Sequence, residues 1–204
     1  MLLRVPTPHG SCVLCESLDD DAARLPDAER DHAQALAAVR RREFIAGRIA
    51  LHEALGDWTT PVLPDDRGAP VLPAGWVGSV SHKEARAAAI VVPAGAGWVG
   101  VDIERATAPR TDIGRRILTP RELAAIAALA GEERGRALTL RFALKEAIYK
   151  AIDPHLRRYV GFLEVELALA GATCTVTSEL PLAIEAAWSE HDGHWLATAR
   201  ATPR

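Results

Sequence analysis

Residues 95–105 read GAGWVGVDIER, and two incompatible folds hang on them. Gly95, Gly97 and Gly100 fit the spacing G-x-G-x-x-G. In a dinucleotide-binding fold a helix must come after those glycines, because its N-terminus holds the pyrophosphate. Here the next residues are VDIE, which is strand-like. The glycines therefore read as a turn and WVGVDIE as a strand. Side chains alternate faces along a strand, so Asp102 and Glu104 point the same way and Ile103 the other way. Two adjacent acids raise each other's pKa, so the pair calls for a positive partner.

Working outward, ARAAAIVVP (85–93) is a short run ending in β-branched residues and stopping at proline. It predicts a strand, and 86–104 then reads as a hairpin. The stretch 61–78, rich in Pro and Gly, is loop with short extended pieces. From Asp27 to Leu55 the apolar residues Leu36, Val39, Phe44, Ile45, Ile49, Leu51 and Leu55 recur at helical spacing, with Gly56 as C-cap. SCVLCESL (11–18) reads as the first strand. TPRELAAIAALAGEE (119–133) predicts a helix with Thr119 as N-cap, Pro120 at N1, Glu122 at N3 and Gly131 at its end. ERGRALTLRFALKEAIYKAI (133–152) is a second helix that stops before Pro154. Four short strands over 162–169, 172–180, 182–190 and 194–201 make a C-terminal sheet.

The chain has 204 residues, 49% hydrophobic and 25% charged, enough for one large domain or two small ones with a real core. A net charge of −3 argues against a general nucleic-acid binder, so any anion site must be a local basic cluster. The N-terminus MLLRVPTPHG lacks the apolar core of a signal peptide, and no segment approaches ~20 apolar residues. A cytoplasmic chain with no membrane contact is the expectation. Cys12 and Cys15 form a CxxC without a second pair, and Cys174 stands alone. They read as small buried side chains rather than zinc ligands or a redox pair.

Lysine occurs only at 83, 145 and 150. On the second helix Phe142, Glu146 and Lys150 fall at i, i+4 and i+8, along one stripe. Taken alone, Glu146 and Lys150 are an ordinary helix ion pair worth ~0.3–0.5 kcal/mol. If the stripe faces the strand end, three carboxylates, Asp102, Glu104 and Glu146, converge with Lys145 and Lys150 beside them. Hard carboxylate oxygens suit Mg²⁺, which commonly takes one or two of them plus phosphates and waters; the lysines would neutralise phosphate oxygens. Ser81 and His82 sit at a strand end, where together they would hold a phosphate. Arg67 lies on a glycine-containing loop. Arg40, Phe44 and Arg48 share a helix stripe.

RRREFIAGR (40–48), DRGAPVLPAGWVGSVSH (66–82), GVDIE (100–104) and FALKEAIYKAIDP…VGF (142–162), in that order and spacing, resemble the 4′-phosphopantetheinyl transferase superfamily. The two-lobed type that activates surfactin and enterobactin synthetases is the most similar. The resemblance implies an α+β fold of two similar α/β lobes related by a pseudo-twofold. The N-terminal lobe would cover 1–100 and the C-terminal lobe 101–204, with the active site between them and the chain a monomer. It implies transfer of the phosphopantetheine arm of coenzyme A to a serine of an apo acyl or peptidyl carrier protein, releasing adenosine 3′,5′-bisphosphate. Asp102, Glu104 and Glu146 match the acids that hold Mg²⁺, and Glu146 is the first choice of base. Asp102, Glu146 and Lys150 carry the chemistry. Arg40, Arg48, Arg67, Ser81, His82, Lys145 and Lys150 match residues that bind coenzyme A. Two positions depart from the family: Ala143, where Ser, Thr or Cys is common, and Lys83, where enterobactin-type members often have Cys. The rival readings are a Mg²⁺-dependent phosphohydrolase acting on a nucleotide-type pyrophosphate, and an inactive homologue that binds carrier proteins.

Overall fold

The computed structural model describes all residues except Ser17, Leu18, Ala85 and Ala172, and only the backbone of Asp19 and Asp20. The ends of the predicted strands at 11–18 and 85–93, and the start of the one at 172–180, thus lie outside the described residues. The strands are β1 (Leu2–Thr7), β2 (Gly10–Glu16), β3 (Trp76–Lys83), β4 (Arg86–Pro93), β5 (Trp98–Arg105), β6 (Val165–Ala170), β7 (Thr173–Ser178), β8 (Leu182–His191) and β9 (His194–Pro203). The helices are α1 (Asp27–Gln34), α2 (Ala38–Leu55), α3 (Gly114–Ile117), α4 (Pro120–Ala125) and α5 (Gly131–Leu156). No helix among the described residues is long and apolar enough to cross a membrane.

Three antiparallel sheets result, ordered β1-β2-β4-β3, β5-β9-β8 and β6-β7. The fold is mixed α+β. In the first half α2 crosses β2 and β4, burying Ile45, Ile49 and Leu51 against Val13, Ala87 and Ala89. In the second half α5 lies on β5 and β9, burying Leu144, Ile148 and Ile152 against Leu182, Ala197 and Ala199. The two larger sheets meet through Val5, Ile90 and Val92 on one side and Val99, Val101, Ile103 and Leu196 on the other.

The expected hairpin over 86–104 does not form. β4 is paired on both edges, to β2 and to β3, and offers no edge to β5. Gly97, at φ 89°, turns the chain away; a Cβ there would sit 2.8 Å from the carbonyl oxygen of Ala201 on β9. β5 pairs with β9 instead. The C-terminal strands likewise split, β6 and β7 forming their own ribbon while β8 and β9 complete the sheet of β5. The continuous helix expected over 27–55 breaks at residues 35–37. There Arg41 folds back and donates to the carbonyls of Ala33, Gln34 and Leu36, satisfying the C-terminus of α1.

Thr119 is the expected N-cap, and with Glu122 it forms a capping box, but α4 ends at Ala125, and Gly131 begins α5 rather than closing α4. α5 runs through Pro154 to Leu156, where Arg157, at φ 48°, closes it by donating to the Asp153 carbonyl. Proline in the last turn forfeits one hydrogen bond rather than interrupting a ladder. The CxxC cysteines face opposite sides of β2, Cys12 in the core between the sheets and Cys15 in the core under α2. Burial pushes their thiols up to about 12 and about 11, which leaves neither a ready nucleophile nor a ready ligand.

Candidate active site

The site begins at the tip of β5. Gly100 lets that strand lie against α5: a Cβ there would stand 1.9 Å from the Ala147 carbonyl oxygen and 2.8 Å from the Ala151 nitrogen. The close approach brings Asp102 to the helix face that carries Glu146 and Lys150. Asp102 is buried, and its Oδ1 accepts from Lys150 Nζ at 2.7 Å and from Ser81 Oγ at 2.7 Å. Its Oδ2 is buried with no hydrogen-bond partner. Glu104, two residues on and on the same face, is held by Lys83 at 2.6 Å. The two acids thus have separate positive partners: Lys150 from the helix, and Lys83 from the end of β3.

Glu146 is half-buried on α5. Burial, and after it the charge of Asp102, pushes its carboxyl above the ordinary range; Lys150 pulls the other way and Glu104 adds to the rise. Glu104 is raised too, by burial first, against the hydrogen bond from Lys83. The acids therefore sit within electrostatic reach of one another. Yet among the described residues no three His, Cys, Asp or Glu side chains come together as a metal-binding group.

Lys145 is not part of this constellation. Its ammonium is buried and donates to Glu122 Oε2 at 2.7 Å and to the carbonyls of Ile117, Phe162 and Val165. Five residues of helix rotate it ~140° from Lys150, so it ties α5 to α4 and β6 instead of facing a phosphate. Phe142, expected on the stripe of Glu146, packs on Phe162 at 5.8 Å beyond the site. Ser81 also differs from expectation: its single hydroxyl proton goes to Asp102, so it orients that acid rather than donating to a ligand.

The remaining basic residues line two adjoining hollows that share Gly68, Val80 and Lys150. Arg40, Arg48, Ser81 and His82 border the larger, of about 600 Å³. Arg67 and Glu146 border the smaller, of about 210 Å³. Arg48 is buried, stacks 4.3 Å from the centre of the Phe44 ring, and has an unpartnered Nε. Burial lowers its pKa to about 10, which leaves the guanidinium charged at neutral pH. Arg40 donates to Glu43 at 2.8 Å, and His82 Nδ1 lies 3.6 Å from the same carboxylate. Arg67 forks onto Asp153 of α5, Nε to Oδ2 at 2.9 Å and Nη2 to Oδ1. Sequence reasoning missed Glu43 and Asp153. Their signal was spacing: each lies three residues along a helix from a basic residue already singled out, Arg40 and Lys150.

This arrangement has the chemistry of a cation-assisted phosphate site. Asp102 Oδ2 is a hard oxygen without a donor, and Glu146, within its electrostatic reach, borders the smaller hollow; both suit Mg²⁺. Arg40, Arg48, His82 and Lys150 supply donors for phosphate oxygens along the larger hollow.

Two family models match the chain: the 4′-phosphopantetheinyl transferase superfamily over residues 98–199 and the 4′-phosphopantetheinyl transferase N-terminal domain over 28–92. Among curated proteins, the chain is 32% identical over 167 residues to the 4′-phosphopantetheinyl transferase Svp of Streptomyces mobaraensis, covering 79% of this chain and 68% of that one. It is 35% identical over 132 residues to enterobactin synthase component D of Escherichia coli O157:H7, covering 63% and 61%. With the 4′-phosphopantetheinyl transferase PptT of Mycobacterium tuberculosis it shares 35% over 138 residues, covering 64% and 59%. The matched regions thus span about three-fifths to two-thirds of these relatives. A solved holo-(acyl-carrier-protein) synthase from Bacillus anthracis, in complex with CoA (3′,5′-ADP), overlaps 52% of this chain and 96% of its own at 22% identity, with a TM-score of 0.45. Matched by a superfamily model across half its length and by Svp over two-thirds of that relative, the chain belongs to the 4′-phosphopantetheinyl transferase superfamily.

Proposed function

We propose that this chain carries out the reaction of its family: transfer of the phosphopantetheine arm of coenzyme A to a serine hydroxyl of an apo carrier protein, in the presence of Mg²⁺. The observation that carries the reading is the joint between β5 and α5. Asp102 is pinned there by Ser81 and Lys150 with its second oxygen buried and free, beside Glu146 and a cleft lined by arginines.

The serine oxygen attacks the β-phosphorus of the pyrophosphate. The bond from that phosphorus to the bridging oxygen breaks, and adenosine 3′,5′-bisphosphate leaves with the bond's electrons. Most of the catalytic work is stabilising charge on the phosphoryl oxygens. Asp102 and Glu146 would hold Mg²⁺, which would supply charge neutralisation at those oxygens. Lys150 spends two of its three N–H bonds on the Val101 carbonyl and Asp102, leaving one for the departing phosphate. Glu146, which borders the smaller hollow, takes the serine proton. Arg40, Arg48 and His82 grip the nucleotide end, and Arg67 stays latched to Asp153 at the rim of the smaller hollow. Residues 1–100 and 101–204 form the two lobes, with the reaction between them.

The test is the mass gain of a panel of purified apo carrier proteins incubated with coenzyme A and Mg²⁺. Asp102→Asn and Glu146→Gln should each lower the rate by at least ~100-fold. Near-wild-type transfer by both would overturn the proposal, and rapid hydrolysis of coenzyme A without carrier would replace it with a phosphohydrolase.

A further inference from the structure

The sequence pattern places three carboxylates at one cation, but the structure partitions them. Asp102 offers a buried oxygen with no donor. Glu146 makes no hydrogen bond to any side chain among the described residues. Glu104 differs: the Lys83 ammonium sits 2.6 Å from its Oε2, and both side chains are partly withdrawn from water, at 37% and 17% exposure. Lys83 is the last residue of β3, directly after Ser81 and His82, so the strand that orients Asp102 also delivers this charge. Among the described residues no other basic side chain forms an ion pair with Glu104.

The geometry points to Lys83 as a tethered cation that removes Glu104 from the divalent site, leaving Asp102 and Glu146 as the carboxylates that hold the ion. This inference rests on the proposed Mg²⁺ site and refines it. It makes Lys83 a positioning residue that sets cation affinity without touching substrate. Affinity for a hard divalent cation follows the number of charged oxygen ligands offered to it. Freeing Glu104 adds a third carboxylate and so tightens binding. An ammonium held against Glu104 keeps affinity in the range set by two, and coenzyme A phosphates complete the sphere.

The experiment measures Mn²⁺ binding to the full chain without coenzyme A, reading free Mn²⁺ by its paramagnetic resonance. Mn²⁺ is the probe because it takes the same carboxylate and water ligands as Mg²⁺. Asp102→Asn should weaken binding at least ~10-fold, whereas Glu104→Gln should stay within about twofold of wild type. Lys83→Met should bind about tenfold tighter. The double variant Lys83→Met/Glu104→Gln should return to near wild type, because the gain needs the freed carboxylate. Lys83→Arg keeps the charge and should match wild type, which keeps the inference testable even where Lys83→Met folds poorly.

Three results would overturn it. The first is Glu104→Gln weakening binding as much as Asp102→Asn. The second is no gain in Lys83→Met. The third is a gain that survives in the double variant, which would mark simple removal of positive charge. The underlying site fails separately, through Asp102→Asn binding Mn²⁺ as wild type does, and that outcome removes both.

Discussion

Lys145 and Lys150 show how much one side chain's direction decides. Both are lysines on one helix, five positions apart, in a segment that the family motif treats as a unit. Counting residues groups them; counting degrees separates them, since five residues turn ~500° around an α-helix. Lys150 reaches Asp102 at the cleft. Lys145 is enclosed with Glu122, which also accepts from the backbone of Thr119 and Leu167. Lys145→Met would leave the Glu122 carboxylate buried without its cation, and removing one partner of a buried pair costs ~3–5 kcal/mol. Urea unfolding should show that loss. Lys150→Met also leaves a buried carboxylate, that of Asp102, without its cation, so it should cost stability too, but it alone should lower transfer by the folded protein at least ~100-fold. Full transfer by folded Lys150→Met, or a ~100-fold loss by folded Lys145→Met, would contradict these placements. That Asp102 and Glu104 share a strand face, and Glu146 and Lys150 a helix stripe, was legible because strand alternation and helix spacing are local rules. Lys145 and Ser81 were not, because their partners come from α4, β6 and β5, which no local rule brings together.

At the scale of elements, most strands were readable and their pairings were not. Apolar runs marked β2, β4, β5 and the four C-terminal strands, but β1 precedes the strand read as the first, β3 begins inside the stretch read as loop, and β4 and β5 were read as partners across a glycine turn. The register is decided by which edges remain open, and β4 has none. The contact that builds the site, β5 against α5, left one mark in the sequence, Gly100. It first presented itself as part of a nucleotide-loop pattern, whereas its work is to admit the Ala147 carbonyl. Gly100→Ala must push strand and helix apart, since the intruded atoms are backbone and cannot rotate aside. Overpacking of this kind costs ~1–3 kcal/mol or more, and here it also lengthens the reach from Lys150 to Asp102. Denaturant titration and the transfer assay should therefore fall together in Gly100→Ala. A variant with full stability and full activity would show that the close approach is dispensable.

Across the whole molecule, two buried histidines tie distant parts of the chain and give its stability opposite responses to pH. His9, in the turn between β1 and β2, meets Thr198 of β9 at 2.9 Å, while Arg200 donates to its carbonyl; it joins the two large sheets. Burial, then the charge of Arg200, lowers its pKa, with Glu185 opposing. His52 of α2 lies under Trp58 and contacts both oxygens of Glu29 at 2.9 Å. Burial alone would lower its pKa, but the hydrogen bonds to Glu29 and to the Asp57 carbonyl, with the charge of Glu29, raise it. In the unfolded chain both titrate near ~6.5. The contribution of His9 is therefore present above ~6.5 and is lost as pH falls toward its lower folded pKa. That of His52 is full below ~6.5 and is lost as pH rises through its higher folded pKa. Urea unfolding at pH 5, 6, 7 and 8 separates them. His9→Gln should cost most at pH 8 and least at pH 5, and His52→Gln the reverse, each changing by at most ~1.4 kcal/mol per pH unit. Two cost profiles sloping the same way would mean that one of these rings does not hold the protonation state its neighbours impose.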